Sequence, residues 1–283
     1  MHPARAPLFV SHGAPDLAIS AHPAGRFLDQ YGTRQTPSAW VVISAHLHRA
    51  TPSLVRRHDG RVMHDYRGFD PALRDCTHRA PDAPALTRQI ESALATAGID
   101  FETIDHRPMD HGAWVPLRRL DPTAKTPVAV LGVGDGDARA HLALGRALAP
   151  FLAQDVGLLA SGAITHALPE IRDWRETPAP APVWVTGFLD ELSSALAAND
   201  TEALLDWTTL RDAQRNHPTP EHLMPLFVAL GAAARSAHAR RLHRSFSRRV
   251  LAMDVWSWEV ESGEAATSAE AGTAACACAA RRT

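Results

Sequence analysis

The chain has 283 residues, 45% of them hydrophobic and 21% charged, with a formal net charge of -2 at pH 7. That suits one large globular domain or two small ones, and a near-neutral charge with no basic stripe excludes a nucleic-acid-binding surface. The N-terminus lacks the apolar core of a signal peptide, and no stretch approaches the ~18 apolar residues of a membrane span.

The three cysteines, Cys76, Cys276 and Cys278, do not suit a disulfide framework or a thiolate zinc site, and a cytoplasmic, reducing location is expected. The compositional outlier is histidine, with sixteen copies.

Residues 7–10 read as a first strand, followed by the loop Ser11-His12-Gly13-Ala14-Pro15, and residues 24–31 as a short helix. The β-branched run Val41-Val42-Ile43 is too short for a buried helix and predicts a strand over 39–45. A short third strand is expected at 53–56, then mixed, loop-like chain over 61–75. Residues 82–97 are helical in pattern: Asp82 can cap, Leu86, Ile90, Leu94 and Ala97 recur at helical spacing, and Gly98 ends the run. Residues 99–104 suggest a strand and 110–120 a compact Gly/Trp/Pro segment. A strand at 127–131, a helix at 137–149 and a strand at 156–160 follow. The run 177–182 is a stiff connection into a helix over 183–198, with 201–207 continuing as helix. Thr219-Pro220-Glu221-His222 predicts a helix start, a Thr cap with Pro in the first turn, running to about residue 235. Residues 248–258 return as a strand. This alternation is that of an α/β protein. Residues 1–258 are read as one catalytic domain and 259–283, rich in Ala, Gly and Thr without periodicity, as a disordered tail.

Four histidines have settings that suit one metal ion. His12, His46 and His166 each follow an expected strand, where open α/β sheets gather functional groups. His222 falls at a helix start, where the dipole disfavours imidazolium and keeps the ring ready to bind. His48 shares a strand face with His46 and is read as an exposed or supporting group. His111, beside Asp110 and next to Gly112 and Trp114, fits a tuned acid/base site. His64 and Tyr66 lie in a loop that could line a pocket. Glu221 is a competing ligand or simply an early-turn acid. Taken singly, each of these residues also admits an ordinary packing role. The run Gly132-Val133-Gly134-Asp135-Gly136-Asp137 looks like a dinucleotide loop, but two aspartates would repel a pyrophosphate and no nucleotide site is expected. There is no Gly-x-Ser-x-Gly elbow, no phosphate-binding Walker loop and no His-Glu-x-x-His.

Six segments in order carry a resemblance. They are Leu8-Phe9-Val10-Ser11-His12-Gly13, Val42-Ile43-Ser44-Ala45-His46, Met63-His64-Asp65 with Gly68-Phe69, Asp110-His111-Gly112-Ala113-Trp114-Val115-Pro116-Leu117, Ser161-Gly162 with Thr165-His166, and His217-Pro218-Thr219 with Glu221-His222. The chain resembles the DODA-type extradiol aromatic ring-opening dioxygenases, of the class III superfamily that includes the protocatechuate 4,5-dioxygenase catalytic subunit. The resemblance implies a single α/β domain with a mixed central sheet and helices on both faces. It implies His12, His46 and His222 as metal ligands, His166 as a further ligand or a close acid/base group, and His111 as an active-site residue. The implied activity inserts both atoms of O2 into a catechol-type ring to give a ring-opened semialdehyde.

Fe(II) is the metal implied for ring opening, because zinc has no redox chemistry; zinc can occupy the same histidines as isolated material. His64, Tyr66, Trp114 and Arg67 are the expected substrate-binding residues. The expected partners are a small aromatic diol and O2, with no nucleic acid or membrane, and a homodimer is compatible. The chain departs from the family in having Ala167 where Asn is usual, Leu47 where Trp is usual, and Arg67 where an aromatic often stands. Arg67 would favour an anionic group on the substrate. Two alternatives stay open at this point: a zinc-dependent hydrolase using the same histidines, and a non-catalytic, Memo-like binding protein on the same fold.

Overall fold

The structure, a computed structural model, describes residues 4–34, 36–171 and 179–260. Of the expected tail, Glu259 and Val260 are described and end the last strand, paired with His238 and Ala237; the rest of it and the first two residues of the 177–182 connection lie outside the described residues. In chain order the elements are β1 (Leu8–Ser11), α1 (Pro23–Gly32), β2 (Ala39–His48), β3 (Ser53–Val55), α2 (Pro84–Thr96), β4 (Glu102–Ile104), α3 (His111–Leu120), β5 (Val128–Val133), α4 (Ala138–Leu152) and β6 (Val156–Gly162). They continue as α5 (Val183–Ala197), α6 (Thr201–Leu205), α7 (Ala213–Asn216), α8 (Met224–Ala232), β7 (Ala237–His243), β8 (Phe246–Ser247), β9 (Leu251–Ala252) and β10 (Val255–Val260). No described helix is long and apolar enough to cross a membrane.

Eight strands form one mixed sheet in the order β4-β3-β5-β2-β6-β1-β10-β7. The four in the middle, β5, β2, β6 and β1, are mutually parallel, whereas β3 joins β5, and β10 joins β1, antiparallel. Parallel strands need cover on both faces. Helices α1 and α3 pack together on one side, with α3 on β2 and β6; α4 and α8 pack together against β6 on the other. Val41, Val42 and Ile43 are accordingly almost fully buried. Because the central strands run the same way, their C-terminal ends share one edge of the sheet, and β1, β2 and β6 deliver their following residues there.

Several expectations were displaced by local chemistry. The segment 110–120 is a helix, despite Gly112 and Pro116, because Asp110 caps it by accepting from the Ala113 N–H at 3.1 Å. Asp82 does not cap α2. Its carboxylate accepts the His58 N–H at 2.7 Å, and the helix begins at Pro84. The helix expected from residue 219 begins only at Met224 and ends at Ala232. The Thr219 hydroxyl donates to Glu221 Oε1 at 2.9 Å instead of capping, so His222 precedes the helix and the first-turn dipole argument does not apply to it. The strand expected at 248–258 is two, β9 and β10, split at Met253–Asp254. Strand β7 forms without a sequence signal, since Ala-His-Ala-Arg-Arg-Leu-His lacks the β-branched pattern. The glycine run after β5 ends in Asp137, which caps α4 by accepting from the Ala140 N–H and so occupies the position a phosphate would need.

Asp254, at the turn into β10, is fully buried, with Arg241 Nη1 at 3.6 Å. Burial pushes its carboxyl up to about 6, and the nearby Arg241 and Arg244 only partly oppose this. The folded state therefore holds this proton more tightly than the unfolded chain. The resulting stabilisation is complete below the ordinary carboxylate range and is lost as pH rises through about 6. Chemical denaturation of Asp254→Asn between pH 4 and 7 should show a flatter stability profile than the wild-type chain over that window.

Candidate metal centre and active site

His12 leaves the end of β1, His46 sits near the end of β2, and His222 lies on the turn before α8. Their side chains meet. His12 Nε2 and His46 Nε2 are 3.1 Å apart, and His222 Nε2 is 3.4 Å from His46 Nε2. Pairing of β2 with β5 shifts register between Ser44 and His48, so His46 lies within the irregular stretch of the strand. His222 is held to the end of β6, where the Ala163 N–H donates to the His222 carbonyl at 2.8 Å. Gly162 allows that approach, since a Cβ there would lie 2.2 Å from the same carbonyl oxygen.

Hydrogen bonds behind two of these rings fix where their protons are. Ser161 Oγ has one proton and gives it to the Gly112 carbonyl, which can only accept. That hydroxyl must therefore accept from His12 Nδ1, 3.0 Å away, which places the His12 proton on Nδ1. The Gly112 carbonyl is free for this because Pro116, one turn on in α3, has no N–H to give it. On the other side, Glu221 Oε1 accepts from His222 Nδ1 at 2.9 Å. Both rings thus turn an unprotonated Nε2 inward, onto His46 Nε2. Three imidazole nitrogens converge with at most one ring proton among them. A cation relieves that repulsion, and neutral imidazole nitrogens are the donors a divalent metal takes. Burial holds His12 and His222 well below the ordinary histidine range and His46 at about 3, with the neighbouring histidines lowering them further. All three are neutral at physiological pH.

Two more histidines border the cluster. His111, at the first position of α3, has its ring 3.9 Å from that of His46, and its Nδ1 donates to Asp65 Oδ1 at 2.9 Å. With that proton on Nδ1, Nε2 is the ring atom left to exchange a proton with a ligand. His166 stacks on His222 with ring centroids 3.4 Å apart and the planes 12° from parallel. Burial, mainly, takes it down to about 4. The loop carrying it is braced by His217, whose Nε2 donates to the Ile164 carbonyl at 3.0 Å.

A cavity of about 150 Å³ opens beside these rings, lined by His46, His111 and His166 and otherwise mostly by apolar groups, among them Phe69, Leu168 and Met253. Tyr66 is also in its wall; its hydroxyl donates to the Leu73 carbonyl at 3.3 Å, and burial raises it to about 12, so it stays neutral. The other expected substrate residues do not reach the cavity wall. His64 donates from Nε2 to the Cys76 carbonyl, Arg67 is exposed, and Trp114 is buried in the core with its indole N–H on the Met63 carbonyl. His48 pairs with Asp135 at 2.8 Å on the outside. Asp65 and Ser161 fall within the resembling segments, but an acid or hydroxyl that orients a histidine carries no spacing signal of its own.

The family described as the catalytic LigB subunit of aromatic ring-opening dioxygenase matches residues 24–251. A protein named 4,5-DOPA dioxygenase extradiol from Beta vulgaris is 34% identical over 250 residues, covering 86% of this chain and 92% of that protein. A protein of the same name from Escherichia coli (strain K12) is 30% identical over 232 residues, covering 80% and 84%. Among solved structures, an uncharacterized protein from Escherichia coli K12 superposes with a TM-score of 0.74 over 89% of this chain and 98% of that one, at 24% identity, a likeness of fold.

Gly112 faces His46: a Cβ there would lie 2.7 Å from His46 Cδ2 and 2.8 Å from Ser44 Oγ. Gly112→Ala should leave the chain folded, as judged by circular dichroism, while displacing His46. Calorimetric titration with a divalent metal should then show binding about tenfold or more weaker, in the range seen when ligand-orienting contacts are lost.

Proposed function

The chain belongs to the LigB family of aromatic ring-opening dioxygenases and is an extradiol ring-cleaving enzyme, metal-dependent and acting on an aromatic substrate with O2; within that frame we propose that His12, His46 and His222 hold Fe(II) and that His166 and His111 carry the protons of a catechol. The observation that carries this reading is the meeting of three neutral Nε2 atoms, two of them stripped of their proton by Ser161 and Glu221. A facial set of a few protein ligands is the arrangement that leaves room for exogenous ones. When bound, Fe(II) supplies the redox-active centre that lets electrons pass from a catecholate to dioxygen.

The chain's own residues manage the protons and the ring. Extradiol cleavage adds O2 across a ring bond with no net change in protons, so each diol proton removed must later be returned. His166 is neutral, borders the cavity and stacks on His222 without being one of the three whose nitrogens meet, which suits it to accept the first proton. His111 borders the cavity and has the Asp65 carboxylate on its Nδ1, leaving Nε2 for the substrate. That carboxylate stabilises the imidazolium His111 becomes when it takes a proton, and keeps the ring aimed for the return step. The apolar wall of Phe69, Leu168 and Met253 suits the face of an aromatic ring and limits water beside the reacting carbon. The relatives' names put DOPA among the catechols to try first.

The test is anaerobic loading with Fe(II), addition of a catechol, and admission of oxygen, read by oxygen electrode and by the yellow absorbance of a semialdehyde. Stoichiometric oxygen uptake with a coloured product is expected; no uptake with any catechol would overturn the reading. His166→Ala should keep most of its iron while turnover falls about 10²–10⁴-fold, the usual worth of general acid–base help. Loss of iron in that variant would make His166 a ligand.

A further inference from the structure

A second cavity, of about 880 Å³, shares no lining residue with the ring cavity. It opens beside a close contact between α4 and α8. A Cβ on Gly145 would lie 2.1 Å from the Val228 carbonyl oxygen, and one on Gly231 would lie 2.1 Å from that of Leu142. Glycine on both helices lets the two backbones meet there. Past this contact the chain leaves α8 at Ala233 and enters β7 at Ala237, and both residues line the cavity. Asn199 and Thr201, at the turn from α5 into α6, close another side.

The cavity is aliphatic and basic at once. Leu142, Ala149, Leu230, Ala233 and Ala237 supply its apolar surface. Trp258 is the one aromatic in the described lining, and at 2% exposed it offers no open face for stacking. Arg146 and Arg235 also line it, and both are exposed. Neither guanidinium has an ion pair or hydrogen bond among the described residues, and no carboxylate is in the described lining to neutralise them. Arg139, two turns earlier on α4, is by contrast paired with Glu202 at 2.6 Å. The C-terminal end of α8 opposes an anion here with about half a negative charge. Two full positive charges outweigh it. An apolar surface edged by a few polar groups is the usual form of a ligand groove.

We propose that this cavity binds an aliphatic carboxylate, with its chain on the apolar surface and its carboxylate held by Arg146 and Arg235. Guanidinium and carboxylate form charge-assisted, paired hydrogen bonds, which gives both unpartnered arginines an acceptor. The aliphatic surface accounts for the chain, because each methylene buried there adds to affinity. A nucleotide would satisfy the arginines, but its base would find nothing to stack on. The bound molecule touches none of the five clustered histidines, so it is a ligand of the protein and not a substrate of its ring cleavage.

Calorimetric titration of the full chain with octanoate tests this. Saturable binding at one site per chain is expected. Acetate and inorganic phosphate lack the chain, and octylammonium inverts the charge; each should bind about tenfold or more weakly than octanoate. Arg146→Gln and Arg235→Gln should each weaken octanoate about tenfold. Ala234→Trp keeps both charges but fills the cavity, and should weaken it as well. All three positions are exposed, so the variants should keep the wild-type circular dichroism spectrum. Arg88→Gln removes an exposed arginine of α2 outside the cavity and should leave binding unchanged. Equal weakening by Arg88→Gln would reduce the effect to bulk charge and overturn the proposal. Absence of saturable binding would also overturn it. So would octanoate binding that survives both cavity arginine variants, or that 4-methylcatechol displaces, since that would put the chain in the ring cavity.

Discussion

The site depends on one electrostatic constraint: nitrogen lone pairs are pushed together and denied the protons that would reconcile them. His12 and His222 each have their single ring proton drawn to the far side, by the Ser161 hydroxyl and the Glu221 carboxylate. What remains is a knot of acceptors within 3.4 Å of His46 Nε2. Burial removes the other way out, because the imidazolium form is too poorly solvated to survive there. The fold holds a centre of negative potential whose natural counterpart is a small divalent cation.

That constraint reaches back into α3 through Pro116. Proline inside a helix is ordinarily a fault, leaving a carbonyl one turn earlier without its donor. Here the abandoned carbonyl is that of Gly112, and the Ser161 hydroxyl takes it up. The hydroxyl's proton is thereby spent, and the His12 tautomer follows. Asp110 anchors the same helix to β2 by accepting from Ser44 Oγ at 2.6 Å, two residues from His46. Backbone defect, serine rotamer and histidine tautomer form one chain of cause, in which no member touches a substrate.

The sequence made the central sheet and the histidines legible for separate reasons. Val41-Val42-Ile43 and Val128–Leu131 announce buried strands by composition alone, and strand ends in an α/β sheet are where functional groups collect. What stayed hidden depends on contacts distant along the chain. Asp82 looks like a cap until His58 claims it, and Thr219 looks like one until Glu221 does. Trp114 and His64 sit in segments that reach the site, yet their side chains turn toward the core and the Cys76 carbonyl; a motif does not state which way its members point. Arg67 stays outside, exposed to solvent.

The position of β1 has a consequence for biosynthesis. β1, made before every other described strand, is flanked by β6 and β10, one made midway along the described residues and the other near their end. Until β6 has emerged, Leu8–Ser11 has no sheet neighbour, and until β10 has emerged it has only one. The polypeptide therefore cannot assemble its cation-binding pocket piece by piece during translation. The apolar strand β1 must wait in the open for partners made much later, and a cation has its three histidines only once His222 has been made.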